Sequence, residues 1–322
     1  MLKNDPLLTD QLAIGMRGRD LLCVRDLSVA EIYRIFAVAS ALKLELRQGQ
    51  SHPLLAGKSL GMIFSKSSTR TRVSFEVGIW QLGGHGLYLN AADIQLGRGE
   101  SIRDTAEVLS RYLDGIMIRT FAQEEVIELA QHASVPVING LTDMFHPCQI
   151  LADMFTAYEK KGTLAGLKLA FIGDGNNVAN SLLCACAKLG VHMSLACPAG
   201  YEPPAAVVEM AKVDAALTGA RLEIIRDPLK AAADADIVYT DVWASMGQEQ
   251  EKAEREKHFA QYQVNSELMA AAKPDAMVMH CLPAHRGEEI TAEVLNGKNS
   301  VVYDEAENRL HVQKAIMALL MA

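Results

Sequence analysis

Apolar and polar positions follow two rhythms along the chain: short unbroken apolar runs, and longer stretches with apolar residues three and four apart. In the first half, helical spacing over Glu31–Arg47 precedes a buried strand at Leu60–Phe64. A helix over Val73–Leu82 and a strand at Gly86–Leu89 follow. The chain then reads as a helix at Ser101–Tyr112, the strand GIMIR at 115–119, a helix at Gln123–His132 and the strand VPVIN at 135–139. After a long helix from about Pro147 to Lys160, the pattern restarts with LKLAFIG. It continues through a helix to Leu189, VHMSLAC, a helix to about Thr218, RLEIIR, DIVYTDV, AMVMHCL and SVVYD. Strands alternating with helices predict parallel sheets, so the expected fold is α/β with two tandem parallel-sheet domains linked by helices. The expected division is 1–147, with a C-terminal helix of about 306–322 packing back on it, and 148–305. No Pro/Gly/Ser-rich linker, internal repeat or low-complexity tract interrupts this pattern.

Composition narrows the function. The chain has 322 residues, 50% of them apolar, enough to bury two cores. A net charge of −8 without any Lys/Arg run excludes an electrostatic footprint for nucleic acid, so a local cluster of cations must serve a small anion. The opening MLKNDPLLTDQLAIG lacks a leader pattern, and no segment reaches the roughly 18 apolar residues of a membrane span. A soluble cytoplasmic protein with no membrane partner is expected. The six cysteines are scattered without C-x-x-C spacing, which predicts reduced core residues. His280 and His285 flank Cys281 as H-C-x-x-x-H, a spacing that matches no standard zinc pattern, and no metal or organic cofactor is expected.

Candidate chemistry sits at the predicted strand ends. FSKSSTRTR, from Phe64 to Arg72, joins a strand to a helix N-terminus, where unpaired amides and the helix dipole attract anions. Ser68, Thr69 and Thr71 add hydroxyl donors, and Arg70 adds a planar fork suited to phosphate. Taken singly, each Ser or Thr reads as a helix cap and Arg119, at the end of GIMIR, as a surface cation. His146, Pro147, Cys148 and Gln149 open the long helix, with His146 and Gln149 on one face and Pro147 at its first position. Together Arg70, Thr71, Arg119, His146 and Gln149 form a donor-rich set with almost no acceptor. Such a set fits a ligand bearing both a phosphate and a carbonyl oxygen.

These residues resemble the aspartate/ornithine carbamoyltransferase family over essentially the whole chain. The family's motifs appear in order: S-T-R-T at 68–71, H-P-x-Q at 146–149, D-x-W-x-S-M-G at 241–247, H-C-L-P at 280–283 and A-E-N-R at 306–309. The resemblance implies transfer of the carbamoyl group from carbamoyl phosphate to ornithine, in the biosynthetic or the catabolic direction, by a homotrimer with shared sites. Carbamoyl phosphate would be held by Ser68, Thr69, Arg70, Thr71, Arg119, His146, Pro147, Cys148, Gln149 and Arg309, with Gln95 reaching into a neighbouring subunit's site. Ornithine would be held by Asn177, Asp241, Ser245, Met246, Cys281 and Leu282. The roles in catalysis would fall to Arg119, His146, Asp241 and Cys281.

The second set is also chemically sensible for ornithine. Asn177 lies in GDGNN, between a strand and a helix, where an amide and open N–H groups suit a carboxylate. Asp241 ends DIVYTD and supplies the anion an ammonium needs, while the polar run Ala244–Glu254 reads as a lid that enters an acidic helix. Cys281 follows a strand and reads either as a site residue or as a small buried one. GDGNN also suggests a nicotinamide-dependent dehydrogenase, but Val178 stands where that fingerprint requires its third glycine. Putrescine and acetylornithine remain as alternative substrates. A non-catalytic binder of a small anion remains as another class.

Overall fold

The computed structural model describes residues 15–244 and 249–322. The N-terminal stretch, and Ser245, Met246 and Gly247 of the substrate loop, lie outside the described residues. The chain divides into two units, one reaching Ala152 and taking back Glu307–Ala322, the other running from Asp153 to Ala306.

In the first unit, α1 (Val29–Arg47) starts at a capping box. Ser28 accepts the Glu31 amide, and Glu31 accepts the Ser28 amide at 2.8 Å. It is followed by β1 (Ser59–Phe64), α2 (Thr69–Gln81), β2 (His85–Asn90), α3 (Ile102–Leu109), β3 (Gly115–Arg119), α4 (Gln123–His132), β4 (Val137–Leu141) and the start of α5 (Pro147–Lys161). The four strands are parallel in the order β2-β1-β3-β4. Ile63, Ile116 and Ile118 bury against Val126 and Leu129 of α4, which is why the central strands read as continuous apolar runs.

In the second unit, α5 ends and β5 (Lys168–Ile172), α6 (Asn177–Leu189), β6 (His192–Ala196), α7 (Ala205–Thr218), β7 (Leu222–Ile225), α8 (Pro228–Ala232) and β8 (Ile237–Thr240) follow. Then come α9 (Lys252–Phe259), α10 (Ser266–Ala271), β9 (Met277–His280), α11 (Ala292–Leu295) and the start of α12 (Val302–Met321). The five strands are parallel in the order β7-β6-β5-β8-β9. Each sheet reverses its winding once, between β1 and β3 and between β5 and β8. Open α/β sheets bind ligands at the carboxyl ends of strands at such a point.

Two expectations are corrected. SVVYD is not a strand: only Ser300 bridges β9, through Val278, and Val302 already begins α12. The β-branched residues are overridden by Glu305, whose carboxylate on the helix's first turn accepts the His280 amide at 3.0 Å. The S-T-R-T segment is not a loop before the helix, because α2 begins at Thr69. The polar run after Ala244 enters an acidic helix as expected: Glu249–Glu251 form a 3₁₀ turn and α9 begins at Lys252. None of the six cysteines is in a disulfide, and all but Cys281 are buried.

Candidate functional site

Ser68 is the N-cap of α2. Its Oγ accepts the Thr71 amide at 3.2 Å and lies 3.2 Å from Thr71 Oγ1, while the amides of Thr69 and Arg70, at the first two helical positions, have no acceptor within the helix. The three cations of the segment separate. Lys66 pairs with Asp143 and lies 4.3 Å from the Phe121 ring centroid. Arg72 bonds Glu76 at 3.1 Å and stacks 3.8 Å from the Tyr88 ring centroid. Arg70 is left to act on His146.

Arg119 closes β3 and is 6% exposed, so it is not a surface cation. Its carbonyl accepts the Ser65 amide at 2.8 Å, which joins the strand end to the loop before α2. His146 is buried just before Pro147, the first residue of α5. Burial first, and then the charges of Arg309, Arg119 and Arg70, hold its imidazole well below the ordinary value. The ring is therefore neutral and can donate only one N–H. Arg309, buried on α12, donates to Gln149 Oε1 and, at 3.2 Å, to Thr71 Oγ1. Cys148 donates to the Asn139 carbonyl at 3.4 Å, and burial pushes its thiol up to about 12, so it packs and does not ionise. Gln95 lies on an exposed 3₁₀ turn, Gln95–Arg98, and joins none of these hydrogen bonds.

In the second unit, β5, β8 and β9 end side by side. The α6 cap is Asn176, not Asn177: its Oδ1 accepts the amides of Val178 at 3.0 Å and Ala179 at 3.2 Å. Its Nδ2 donates to Asp241 Oδ2 at 2.8 Å. Asp241 Oδ1 accepts the Val242 amide at 2.8 Å and the Cys281 thiol at 3.0 Å. Cys281 is half-buried as a residue, but its thiol sits against Asp241; desolvation there, and then the Asp241 carboxylate, raise the thiol well above its ordinary value, so it is a hydrogen donor to Asp241 and not a thiolate nucleophile. Leu282 takes a left-handed φ of 58° with its amide donated to His280 Nδ1 at 2.9 Å. Such a conformation is costly for a leucine and fixes the direction of the chain after β9.

GDGNN is held tightly for another reason. A Cβ on Gly175 would stand 2.3 Å from the Pro203 nitrogen, so only glycine fits. Asp174 meets Arg255 at 2.9 Å, and Arg255 also donates to the Trp243 carbonyl at 2.9 Å. Burial raises Asp174 to about 6, opposed by Arg255. Beneath Asp241, Tyr239 bonds Asp153 at 3.0 Å and Glu305 at 3.2 Å, and burial beside Asp153 raises the Glu305 carboxyl well above its ordinary value. Sequence reasoning missed Asn176, Asp174 and Arg255. The doubled Asn of GDGNN was the available signal for Asn176, whereas a lone arginine in an acidic helix gave none for Arg255.

Two groups among the described residues bring possible metal-ligand atoms within 4.8 Å of one another: Asp241, His280 and Cys281, and His285, Glu288 and Glu289. In the first, His280 Nδ1 accepts the Leu282 amide, Nε2 lies 3.1 Å from Glu289 Oε1, and the thiol keeps its proton, so its donors are already engaged.

Comparison with known proteins gives two family matches. Residues 19–159 match the family described as "Aspartate/ornithine carbamoyltransferase, carbamoyl-P binding domain", and 165–320 match its "Asp/Orn binding domain". The chain is 59% identical over 307 residues to ornithine carbamoyltransferase of Symbiobacterium thermophilum, covering 95% of this chain and 99% of that one. It is 56% identical over 310 residues to "Ornithine carbamoyltransferase, anabolic" of Pyrococcus furiosus, covering 96% and 98%. A solved ornithine carbamoyltransferase from Pyrococcus furiosus superposes with a TM-score of 0.93 at 57% identity, covering 96% of this chain and 99% of that one.

Asn176→Ala removes both the α6 cap and a donor to Asp241, and should lower unfolding free energy by about 2 kcal/mol. Asn176→Asp, which caps the helix but cannot donate to Asp241, should recover only part of it. Urea unfolding checks both, and an alanine variant with the wild-type midpoint would show that the cap is not used.

Proposed function

Because the chain belongs to the aspartate/ornithine carbamoyltransferase family, we propose how its side chains divide the transfer of the carbamoyl group from carbamoyl phosphate to the distal amine of L-ornithine, which yields citrulline and phosphate. The assignment is carried by the first-unit cluster, in which Arg309, Arg119 and Arg70 act on the buried imidazole of His146. A site rich in donors and positive charge suits a doubly charged phosphate ester with a carbonyl beside it. The dehydrogenase reading is not retained.

Arg70, Arg309, the hydroxyls of Ser68 and Thr69 and the α2 amides take the phosphate oxygens. Arg119, the His146 N–H and the Thr71 hydroxyl face the carbonyl oxygen, with Gln149 and Pro147 holding the start of α5. In the second unit Asp241, held by Asn176 and Cys281, takes the α-ammonium of ornithine, and Asn177 with the α6 amides takes the carboxylate. Ser245, Met246 and Leu282 complete this binding. The neutral distal amine attacks the carbamoyl carbon. Negative charge develops on the carbonyl oxygen, the carbon–oxygen bond to phosphate breaks, and the leaving phosphate accepts the amine's proton. Cys281 forms no covalent intermediate, since its proton is bound in the hydrogen bond to Asp241.

Three finer points belong to the same proposal. The reaction runs in arginine biosynthesis, as in the Pyrococcus furiosus relative named anabolic. The enzyme works in the cytoplasm, in keeping with six cysteines of which none is in a disulfide; no helix of the described residues is long and apolar enough to cross a membrane. It assembles as a homotrimer in which Gln95 serves a neighbouring subunit. Supporting this, the first unit exposes large apolar side chains, among them Trp80 and Tyr112 at 74% each, which monomers rarely leave uncovered.

The distal amine has a lysine-like reference pKa of about 10.4, so about one molecule in a thousand or fewer is neutral at pH 7. Nearby cations lower that pKa. At subsaturating ornithine, kcat/KM should therefore rise with pH from about 6 to 9, the rise coming from the amine because His146 is already neutral. Asp241→Asn should lose most ornithine affinity and keep that for carbamoyl phosphate. A flat profile, or unchanged ornithine dependence in the variant, would refute the assignment.

Mixing inactive Gln95→Ala chains with inactive Arg119→Ala chains should regenerate some intact sites if subunits share them. Proven hybrids without any recovered activity would refute sharing.

A further inference from the structure

Arg309 does not hold its place unaided. Gln313 stands one helical turn further along α12 and is fully buried. With its amide oxygen toward the guanidinium, the orientation in which both ends of the amide find partners, Gln313 accepts from Arg309 Nη2 at 3.0 Å and from Nε at 3.1 Å. Its amide nitrogen then donates to Ser74 Oγ. Ser74 Oγ in turn donates to the Arg70 carbonyl at 2.6 Å. One side chain thus grips the back of Arg309 and, through Ser74, the helical turn that carries Arg70 and Thr71.

We propose that Gln313 is a positioning residue that aims the Arg309 guanidinium and thereby sets the affinity for carbamoyl phosphate; this rests on Arg309 binding that substrate. The choice of an amide has a chemical reason. A neutral acceptor orients a guanidinium without adding a countercharge beside it, whereas a carboxylate at the same place would orient it and add one. Glutamine is also long enough to span the turn and to donate at its other end, which no apolar residue can do.

Steady-state kinetics and calorimetric binding of carbamoyl phosphate, on the intact enzyme, test this. Gln313→Leu should raise the KM and Kd for carbamoyl phosphate about ten-fold, the loss of hydrogen bonds to a charged group. The ornithine KM at saturating carbamoyl phosphate should stay within about two-fold, because the defect is confined to the first substrate. In an Arg309→Ala background the same change should add nothing, since Gln313 acts through Arg309. Wild-type carbamoyl phosphate affinity in Gln313→Leu, or an additive loss in the double variant, would overturn the proposal. If Gln313→Leu does not fold, Gln313→Glu replaces it: weakened carbamoyl phosphate binding supports a charge-preserving role, and unchanged binding overturns it. Arg309→Ala alone separates the two levels. Normal affinity there would remove Arg309 from the site, whereas weakened affinity there with a normal Gln313→Leu would sink only the role of Gln313.

Discussion

The buried guanidinium of Arg309 is the contact on which the first unit's site depends. It binds the first turn of α2 through Thr71 and the first turn of α5 through Gln149, two elements that the chain separates by some eighty residues. A buried cation with fixed donors loses its hydration and must recover it from neutral acceptors or from a ligand. Here the hydroxyl of Thr71 and the amide of Gln149 are among its acceptors, and neither adds a countercharge beside the guanidinium. Arg70 and Arg119 add to the same field, which reinforces burial in keeping the His146 ring unprotonated. In the proposed reaction the α2 amides, the guanidiniums and the imidazole act together where charge develops.

The second unit answers with the opposite sign. Asp241 is fixed by three donors, from Asn176, Val242 and Cys281, and each is set by a strand end or a helix cap. Its carboxylate is aimed by hydrogen bonds, as the guanidinium of Arg309 is, but it offers charge to an ammonium. Cys281 illustrates why residue type alone misleads. A cysteine in an active-site motif suggests a nucleophile, yet burial beside a carboxylate stabilises the thiol form and makes it a positioning donor.

The strands were legible because parallel strands covered on both faces leave continuous apolar runs, as LGMIF and GIMIR do, whereas the strand order and its switch points were not, since they depend on long-range pairing. SVVYD misled for the same reason: its Val-Val-Tyr run has strand propensity, and only the long-range hydrogen bond of Glu305 to β9 decides for helix. The phosphate-type cluster was legible because Arg and His at the ends of apolar strands break the pattern. The division among Lys66, Arg70 and Arg72 was not, since it depends on Asp143, Glu76 and Tyr88, which lie elsewhere in sequence or on a helix face. The helix start at Asn177 was legible in GDGNN, whereas the capping by Asn176 was not, since it rests on that side chain's hydrogen bonds to the Val178 and Ala179 amides. Gln313 left no distinct trace, because α12 also carries Glu305, Asn308, His311 and Lys314 as buried polar residues.

The central claim is that burial, and then the clustered cations, hold His146 neutral, so that it serves as a donor and not as an acid. The most direct test is nitrogen-15 NMR of the imidazole in the folded enzyme, assigned by comparison with His146→Gln, across pH 5.5 to 9. The account predicts a neutral single tautomer throughout, with no titration step. An imidazole that protonates near its ordinary value of about 6.5 would contradict it.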